Sequence, residues 1–385
     1  MKKPLLAAMA ACIASAAPLS AHSSGITVYQ DGDKYVKIGG RIQFQYHQFD
    51  PDIGDSSDEV LFRRLRPYLE GSLHKDWKGK IQFDLGKAEE GNEVAVKDAY
   101  MQYKGFSNMK VTVGNANFPF SREFLTSSKY QQLVERTFVG DHDYGTPDRN
   151  AGIHLTGHSE DKHIGWAASV AQASIDPDAA KLDFDTPVNR NDDFNEGFIV
   201  GGRVDFHPMG PLKFSQGDFD GATKATISLA AFTWSNDDDN NTYTTAGTST
   251  STSKADVDSV TGVELSGAFR SNGISIDIET NKFDADSVDT AFTGGLYRNG
   301  STSLKNSAIE AGVMLPGNTT ELVLAYQTQD ADNYATAWNR TSAGVNWFLQ
   351  KHDIKVQLSY RMGENLKGVN GVDADEIFLQ SQYVF

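Results

Sequence analysis

Apolar and polar residues alternate with a period of two along much of this chain. Val36, Ile38, Ile42, Phe44 and Tyr46 fall on one side of a strand, and Lys37, Arg41, Gln43, Gln45 and His47 on the other. Ile81, Phe83 and Leu85 alternate with Lys80, Gln82 and Asp84, and Ile274, Ile276 and Ile278 with Ser275, Asp277 and Glu279. Val356, Leu358 and Tyr360 alternate with Lys355, Gln357, Ser359 and Arg361. The last residues, 375–385, set Ile377, Leu379, Tyr383 and Phe385 against Gln380 and Gln382. This is the pattern of strands with one apolar and one wet face.

Sixteen strands are expected, over 35–49, 60–74, 78–86, 95–104, 109–115, 150–158, 162–173, 197–206, 223–234, 257–270, 273–283, 304–315, 320–328, 339–349, 353–362 and 375–385. Tight connections at 74–77, 105–108, 271–273, 316–318 and 351–353 alternate with long ones at 50–59, 116–150, 172–196, 235–256, 284–303 and 363–374. The stretch 208–222 breaks the rhythm, being long where a short turn is due. No convincing helical period and no repeat of 20 to 50 residues is visible.

In a soluble sandwich the apolar face meets a second sheet; in an outer-membrane barrel it meets lipid and the polar face lines a lumen. Periodicity does not separate the two, but other features do. Short turns on one side with long loops on the other is the barrel pattern, and the chain ends on an aromatic residue without a polar tail. Lys2 and Lys3 followed by an apolar run over 5–17 and by Ala21, Ser23 and Ser24 read as a secretory leader of residues 1–23. Ala10-Ala11 before Cys12 hint at acylation, but Met9 matches poorly and the apolar run continues past it. Beyond the leader no stretch reaches the ~18 apolar residues of a membrane helix. Residues 24–385 are therefore expected to form a single all-β domain: a 16-stranded antiparallel transmembrane β-barrel in a Gram-negative outer membrane, in contact with its lipid.

Composition adds two points. A mean hydropathy of -0.44 together with 22 Phe and 14 Tyr suits strands that alternate and are never hydrophobic on average. A formal charge of -16 argues against a nucleic-acid partner. The single cysteine, Cys12, lies in the leader, which leaves residues 24–385 without a thiol.

The densest cationic cluster is Phe62-Arg-Arg-Leu-Arg-Pro67. Arg64 and Arg66 share a face with Glu70 and Ser72, opposite Leu65, Leu69 and Leu73, and are expected to be lumenal. Arg63 joins them only at a strand end or through a bulge. Guanidinium groups grip oxyanions through forked donors, so an anion filter is one reading. The other is that these arginines pair with Glu70, Asp84 or Asp98 and stiffen the wall. Lys37, Arg41, Lys80, Lys355 and Arg361 fall on the same expected lumenal face of their own strands.

The connection after Val113 contains Phe118, Phe120, Phe124, Leu125 and Tyr130, too apolar to hang in water. It is expected to fold inward as a constriction loop, presenting Arg122 and Lys129; a loop packed over the mouth is the alternative.

Val36-Lys-Ile-Gly-Gly-Arg-Ile-Gln, Phe62-Arg-Arg, Lys75-Asp-Trp77, Lys97-Asp-Ala99, Thr126-Ser-Ser-Lys129, Glu135-Arg136, Gly344-Val-Asn-Trp347 and Gln382-Tyr-Val-Phe385 together resemble the phosphate-selective porin O and P family of Gram-negative bacteria. The likeness is dense over 35–160, returns over 340–385 and thins between. It implies a homotrimer whose lumen and inward loop bind phosphate or polyphosphate at a narrow waist. Carried over, Arg63 and Arg64 match the family's central arginine pair, Asp98 a wall aspartate at the same site, and Lys129 a lysine of the inward loop. One stretch departs from the family. An arginine-rich fifth outer loop is implied, but here the chain reads Ser235-Asn-Asp-Asp-Asp-Asn-Asn241 and then a Thr/Ser tract to Lys254. That puts phosphate selectivity in doubt.

Enzyme motifs are lacking: there is no phosphate-cradling glycine loop, no Gly-x-Ser-x-Gly elbow and no His-Glu-x-x-His. His158 and His163 bracket Ser159-Glu-Asp161, which reads as a solvated turn rather than a metal site. The expected function is a passive water-filled channel for small anions, phosphate first, with no cofactor and no metal. A general porin without phosphate preference, or a structural or adhesive barrel, are the alternatives.

Overall fold

The computed structural model describes residues 25–86, 94–176, 178–185, 188, 196–236 and 254–385. The expected leader and the Asp237–Asp239 stretch lie outside them. Among the described residues the strands form one antiparallel sheet of twenty. The first are β1 (Ile26–Asp31), β2 (Lys34–Gly39), β3 (Arg41–Pro51), β4 (Ser57–Leu65), β5 (Tyr68–His74) and β6 (Trp77–Asp84). Next come β7 (Ala95–Tyr103), β8 (Met109–Asn117), β9 (Arg149–His158), β10 (Ile164–Asp176), β11 (Asp183–Asp185), β12 (Glu196–Phe206) and β13 (Lys224–Asn236). The rest are β14 (Val257–Ser271), β15 (Ile274–Ser287), β16 (Ser301–Met314), β17 (Thr320–Asp330), β18 (Trp338–Gln350), β19 (Ile354–Glu364) and β20 (Ala374–Val384).

Twenty strands differ from the sixteen expected, for local reasons. The run expected over 35–49 is split into β2 and β3 at Gly40, and the run over 60–74 into β4 and β5 at Arg66-Pro67. Pro67 has no N–H to give the ladder. Pairing nonetheless continues across both breaks: Arg66 N–H donates to the Arg41 carbonyl at 2.9 Å, and Gly40 N–H to the Phe385 carbonyl at 2.8 Å. The other two extra strands are short. β1 forms a hairpin with β2, and β11 borders the end of β10.

From β5 each strand pairs with the next through β10, then β10 with β12 and onward to β20. β20 then pairs with β3, Val384 opposite Arg41, and the ladder returns to its start. The tight connection after β14 is an Asn272-Gly273 hairpin with both residues at positive φ, the geometry that matches strand twist.

Burial follows the period-two pattern. In β13, Ile227 and Leu229 are exposed while Ser228, Ala230, Phe232 and Trp234 are buried. In β17, Leu322, Leu324 and Tyr326 are exposed while Glu321, Val323, Ala325 and Gln327 are buried. The sheet thus wears its large aliphatic residues outside and encloses Gln, Ser, Asn and ionisable groups, inverting a soluble protein. Part of the interior is apolar, however: Phe232, Trp234, Phe283, Val260 and Ile199 form a core with Phe118 and Phe120 of the long connection after β8.

That connection, residues 118–148, folds inward against the sheet, the course expected of it rather than a packing over the mouth. Phe120 packs on Phe232 with ring centroids 4.9 Å apart, and Phe138 on Trp338 at 4.8 Å. A single helical turn, α1 (Arg122–Leu125), starts at Ser121, whose Oγ accepts the Phe124 N–H at 3.1 Å. Gly145 (φ +97°) faces the Phe283 ring, which leaves no room for a Cβ.

The outward face gives the first test. Leu324 is 66% exposed near the middle of β17. Leu324→Arg is expected to cost about 2–4 kcal/mol of folding free energy in a bilayer, read from denaturant titrations in vesicles; an unchanged midpoint would mean that this face does not meet lipid.

Candidate functional site

A cavity of about 700 Å³ lies between the inward loop and the wall from β2 to β9. Ten Lys and Arg side chains line it against six carboxylates, in a chain of net charge -16. Arg63, Arg64, Asp98 and Lys129 all line it, as do Lys37, Arg41, Arg66, Glu70, Lys80 and Asp84.

Both Arg63 and Arg64 reach the cavity because β4 carries a bulge. Arg64 pairs with Gln43 and Phe62 with Phe44, which leaves Arg63 as the extra residue. Its guanidinium forks onto Glu135 of the loop, Nε to Oε1 at 2.6 Å and Nη2 to Oε2 at 2.9 Å. The expected wall partners for Arg63 are therefore replaced by a loop carboxylate. Arg64 donates to Gln43 Oε1 at 3.1 Å and stands 4.0 Å from Glu135. Arg66 pairs with Asp84 at 2.5 Å. Asp98 holds Lys80 at 2.6 Å and Arg149 at 2.8 Å, so it positions cations rather than facing solute alone.

Other cations stand apart from the carboxylates. Arg41 donates to Ser127 Oγ at 2.8 Å, and Arg136 to the carbonyls of Phe124 and Thr126 at 3.2 Å each. Lys129 lies over the Tyr130 ring at 4.7 Å. Among the described residues none of these three forms an ion pair. The Nε–H groups of Arg41, Arg64 and Arg136 are buried without an acceptor. Burial, with Arg41 nearby, lowers the Lys129 ammonium below its ordinary value.

Three expectations need correction. Arg122 does not face the cavity: it is buried beside Asp277, with Nη2 on the Lys213 carbonyl at 3.1 Å. Lys355 and Arg361 do point inward but do not line the open space, because the loop lies over them. Lys355 Nζ donates to the Gln131 carbonyl at 2.8 Å, and Arg361 pairs with Glu376 at 3.3 Å. Lys97, Arg136 and Arg149 are lining cations that the sequence reading passed over. The Lys97-Asp and Glu135-Arg motifs contained two of them as marks of likeness, not as site residues.

The wall also holds the loop. Gln357 Nε2 donates to the Gln132 carbonyl at 2.9 Å, as does Asn346 Nδ2, and Gln382 Nε2 donates to the Lys129 carbonyl at 3.1 Å. Gln327 accepts the Phe138 N–H at 2.8 Å. At the far end of the loop, His142 Nδ1 lies 2.6 Å from Asp183 Oδ1 of β11. Burial opposes the charged ring, but Asp183 outweighs it and, with Asp148 and Asp143, pushes its pKa up to about 10. His158 and His163 serve turn backbones, Nδ1 standing 2.8 Å from the Ser159 carbonyl and 2.7 Å from the His207 carbonyl respectively.

Two outcomes are expected here. Glu135→Gln leaves Arg63 without its charged fork and is expected to cost about 1–3 kcal/mol, seen as a lower thermal midpoint in detergent. The His142–Asp183 clasp is fully present below the free-histidine pKa of about 6.5 and is lost as pH rises through about 10. The thermal midpoint should fall between pH 8 and 10.5, and by less in Asp183→Asn; equal falls would remove His142 as the cause.

A Pseudomonas aeruginosa protein named porin O is 34% identical over 110 residues, 28% of this chain and 25% of that relative. A protein of Aquifex aeolicus without assigned function is 28% identical over 116 residues, 29% of this chain and 27% of its own. The matches thus span about a quarter of the curated relatives' length. Among solved structures, OmpT, an outer membrane protein of Vibrio cholerae, superposes with a TM-score of 0.60 at 13% identity, covering 93% of this chain and 99% of that one. An anion-selective porin from Comamonas acidovorans gives 0.59 at 11% identity, over 91% and 100%. These likenesses establish the β-barrel fold. The family described as phosphate-selective porin O and P matches residues 36–385, and the chain belongs to it.

Proposed function

We propose that this protein is a porin passing small anions by diffusion across a Gram-negative outer membrane, with phosphate or polyphosphate the leading solutes. The observation that carries the reading is the cavity: ten cations against six carboxylates in an acidic chain, with Arg41, Arg136 and Lys129 forming no ion pair among the described residues. Guanidinium groups that keep unused donors at a wet cavity are suited to an oxyanion, which spreads charge over several acceptors. Arg63, Arg64 and Lys129 form the waist with Arg41 and Arg136, and Asp98 keeps Lys80 and Arg149 in place. No covalent step, cofactor or metal is required.

The same reading takes the unit as a sixteen-stranded membrane-spanning barrel over 24–385, made after removal of residues 1–23. That count joins β2 to β3 and β4 to β5 and leaves out β1 and β11. The tight connections then face the periplasm and the long ones the exterior. Assembly as a homotrimer is supported by the trimeric form in which the Vibrio cholerae OmpT has been solved.

A milder reading has its own observation. Asp237, Asp238 and Asp239 replace the cationic outer loop that the family resemblance implies. An acidic mouth disfavours anion capture, although salt screens it beyond roughly 8 Å. In that reading the fold is kept and phosphate preference is lost.

Planar-bilayer recordings separate the two. Under a chloride gradient the reversal potential is expected to report anion preference, and low phosphate on one side is expected to reduce the current. Arg63→Ala with Arg64→Ala should remove most of that preference. Lys129→Ala should weaken phosphate block with a smaller change in reversal potential. Cation preference in the natural protein, with no block, would leave the milder reading.

A further inference from the structure

Residues 207–223, between β12 and β13, lie at the end of the barrel where connections are otherwise tight. A hairpin there needs about 2–5 residues, yet this segment is long and turns inward. Gln216 and Asp218 are buried. The Gln216 N–H donates to the Tyr130 carbonyl at 3.0 Å, and its side-chain oxygen accepts the Gln132 N–H at 2.8 Å. Its side-chain amide donates to Glu310 at 3.0 Å. The Ser215 carbonyl accepts from Arg270 at 2.8 Å.

The segment also reaches across the mouth. Asp218 accepts the Gly273 N–H at 2.8 Å, and the Phe219 carbonyl takes the Asn318 amide at 3.3 Å. The Phe219 ring packs edge-on to Phe348 and His352, with centroids 4.8 and 5.0 Å away. It therefore touches the connections after β14, β16 and β18. None of the residues that line the arginine cavity belongs to it.

We propose that 207–223 is a plug. It closes the tight-turn end of the barrel beside β12 to β19 and confines solute to the arginine wall along β2 to β9. It also fixes the inward loop at Tyr130 and Gln132, on either side of Gln131 and directly after Lys129. The plug is thus a determinant of both size cut-off and charge selectivity. Only the charge part rests on the porin reading for anions given above.

The test uses two variants of the full chain in liposomes. In one, residues 210–220 are replaced by Gly-Asn-Gly; in the other, Gln216→Ala is combined with Phe219→Ala at unchanged length. Swelling rates with neutral sugars of graded size read the cut-off, and bilayer recordings read conductance and the anion-to-cation permeability ratio. The shortened variant is expected to admit a neutral trisaccharide several-fold faster, with higher conductance and a permeability ratio closer to one. The double substitution should shift both in the same direction, less far. If the natural protein shows no anion preference but the variants still gain sugar flux, the plug stands and the anion reading falls. Folded variants with the sugar cut-off and conductance of the natural protein would overturn the plug. If the shortened chain fails to fold, the double substitution decides by the same criterion.

Discussion

The constraint on which the rest of this molecule depends is the hydrogen-bonding demand of an irregular loop held inside a barrel. Every backbone N–H and C=O placed there needs a partner. The loop 118–148 supplies few of its own, having one helical turn. The wall supplies many more, through glutamine, asparagine, serine and lysine side chains on the inward positions of β3 and β17 to β20. The inward polar residues of these strands therefore serve the loop. Along β2 to β9, where the loop stands away from the wall, inward charges meet open space.

This division explains the electrostatics. On the covered side, Arg203 is matched to Glu264 and Asp205, while Lys355 is held by a loop carbonyl. On the open side, cations outnumber carboxylates, and some are held only by hydroxyl or carbonyl oxygens. Such groups repel one another and lose hydration, so the cluster costs stability. The aromatic packing of Phe118, Phe120 and Phe138 against the wall supplies the apolar burial that keeps so charged an interior folded.

Much of this was legible in the sequence. The faces of β3, β15 and β19 follow from period two alone, because a strand with lipid on one side has no tolerance for a slip in register. The inward loop was legible from its phenylalanines. What sequence could not place was distance. Glu135 is far along the chain from Arg63, and nothing local marks it as that arginine's partner. Lys355 and Arg361 have the parity of lumenal residues, but parity says which way a side chain points and not whether a loop covers it. The long stretch 208–222 was visible as an exception to the rhythm; its inward course depends on Tyr130, Gly273 and Asn318, contacts that no local pattern encodes.

The bulge at Arg63 has a wider meaning. Along a regular strand the lumen receives one side chain about every 7 Å, which sets a ceiling on how densely a barrel can charge its wall. One inserted residue lifts that ceiling at a single point. Arg63 and Arg64 both face inward there, while Phe62 and Leu65 keep their places in the ladder and the outer surface is undisturbed. A wall of this kind can therefore gain or lose an inward cation by insertion or deletion, a route that leaves the outward-facing sequence untouched and that comparisons counting only substitutions would miss.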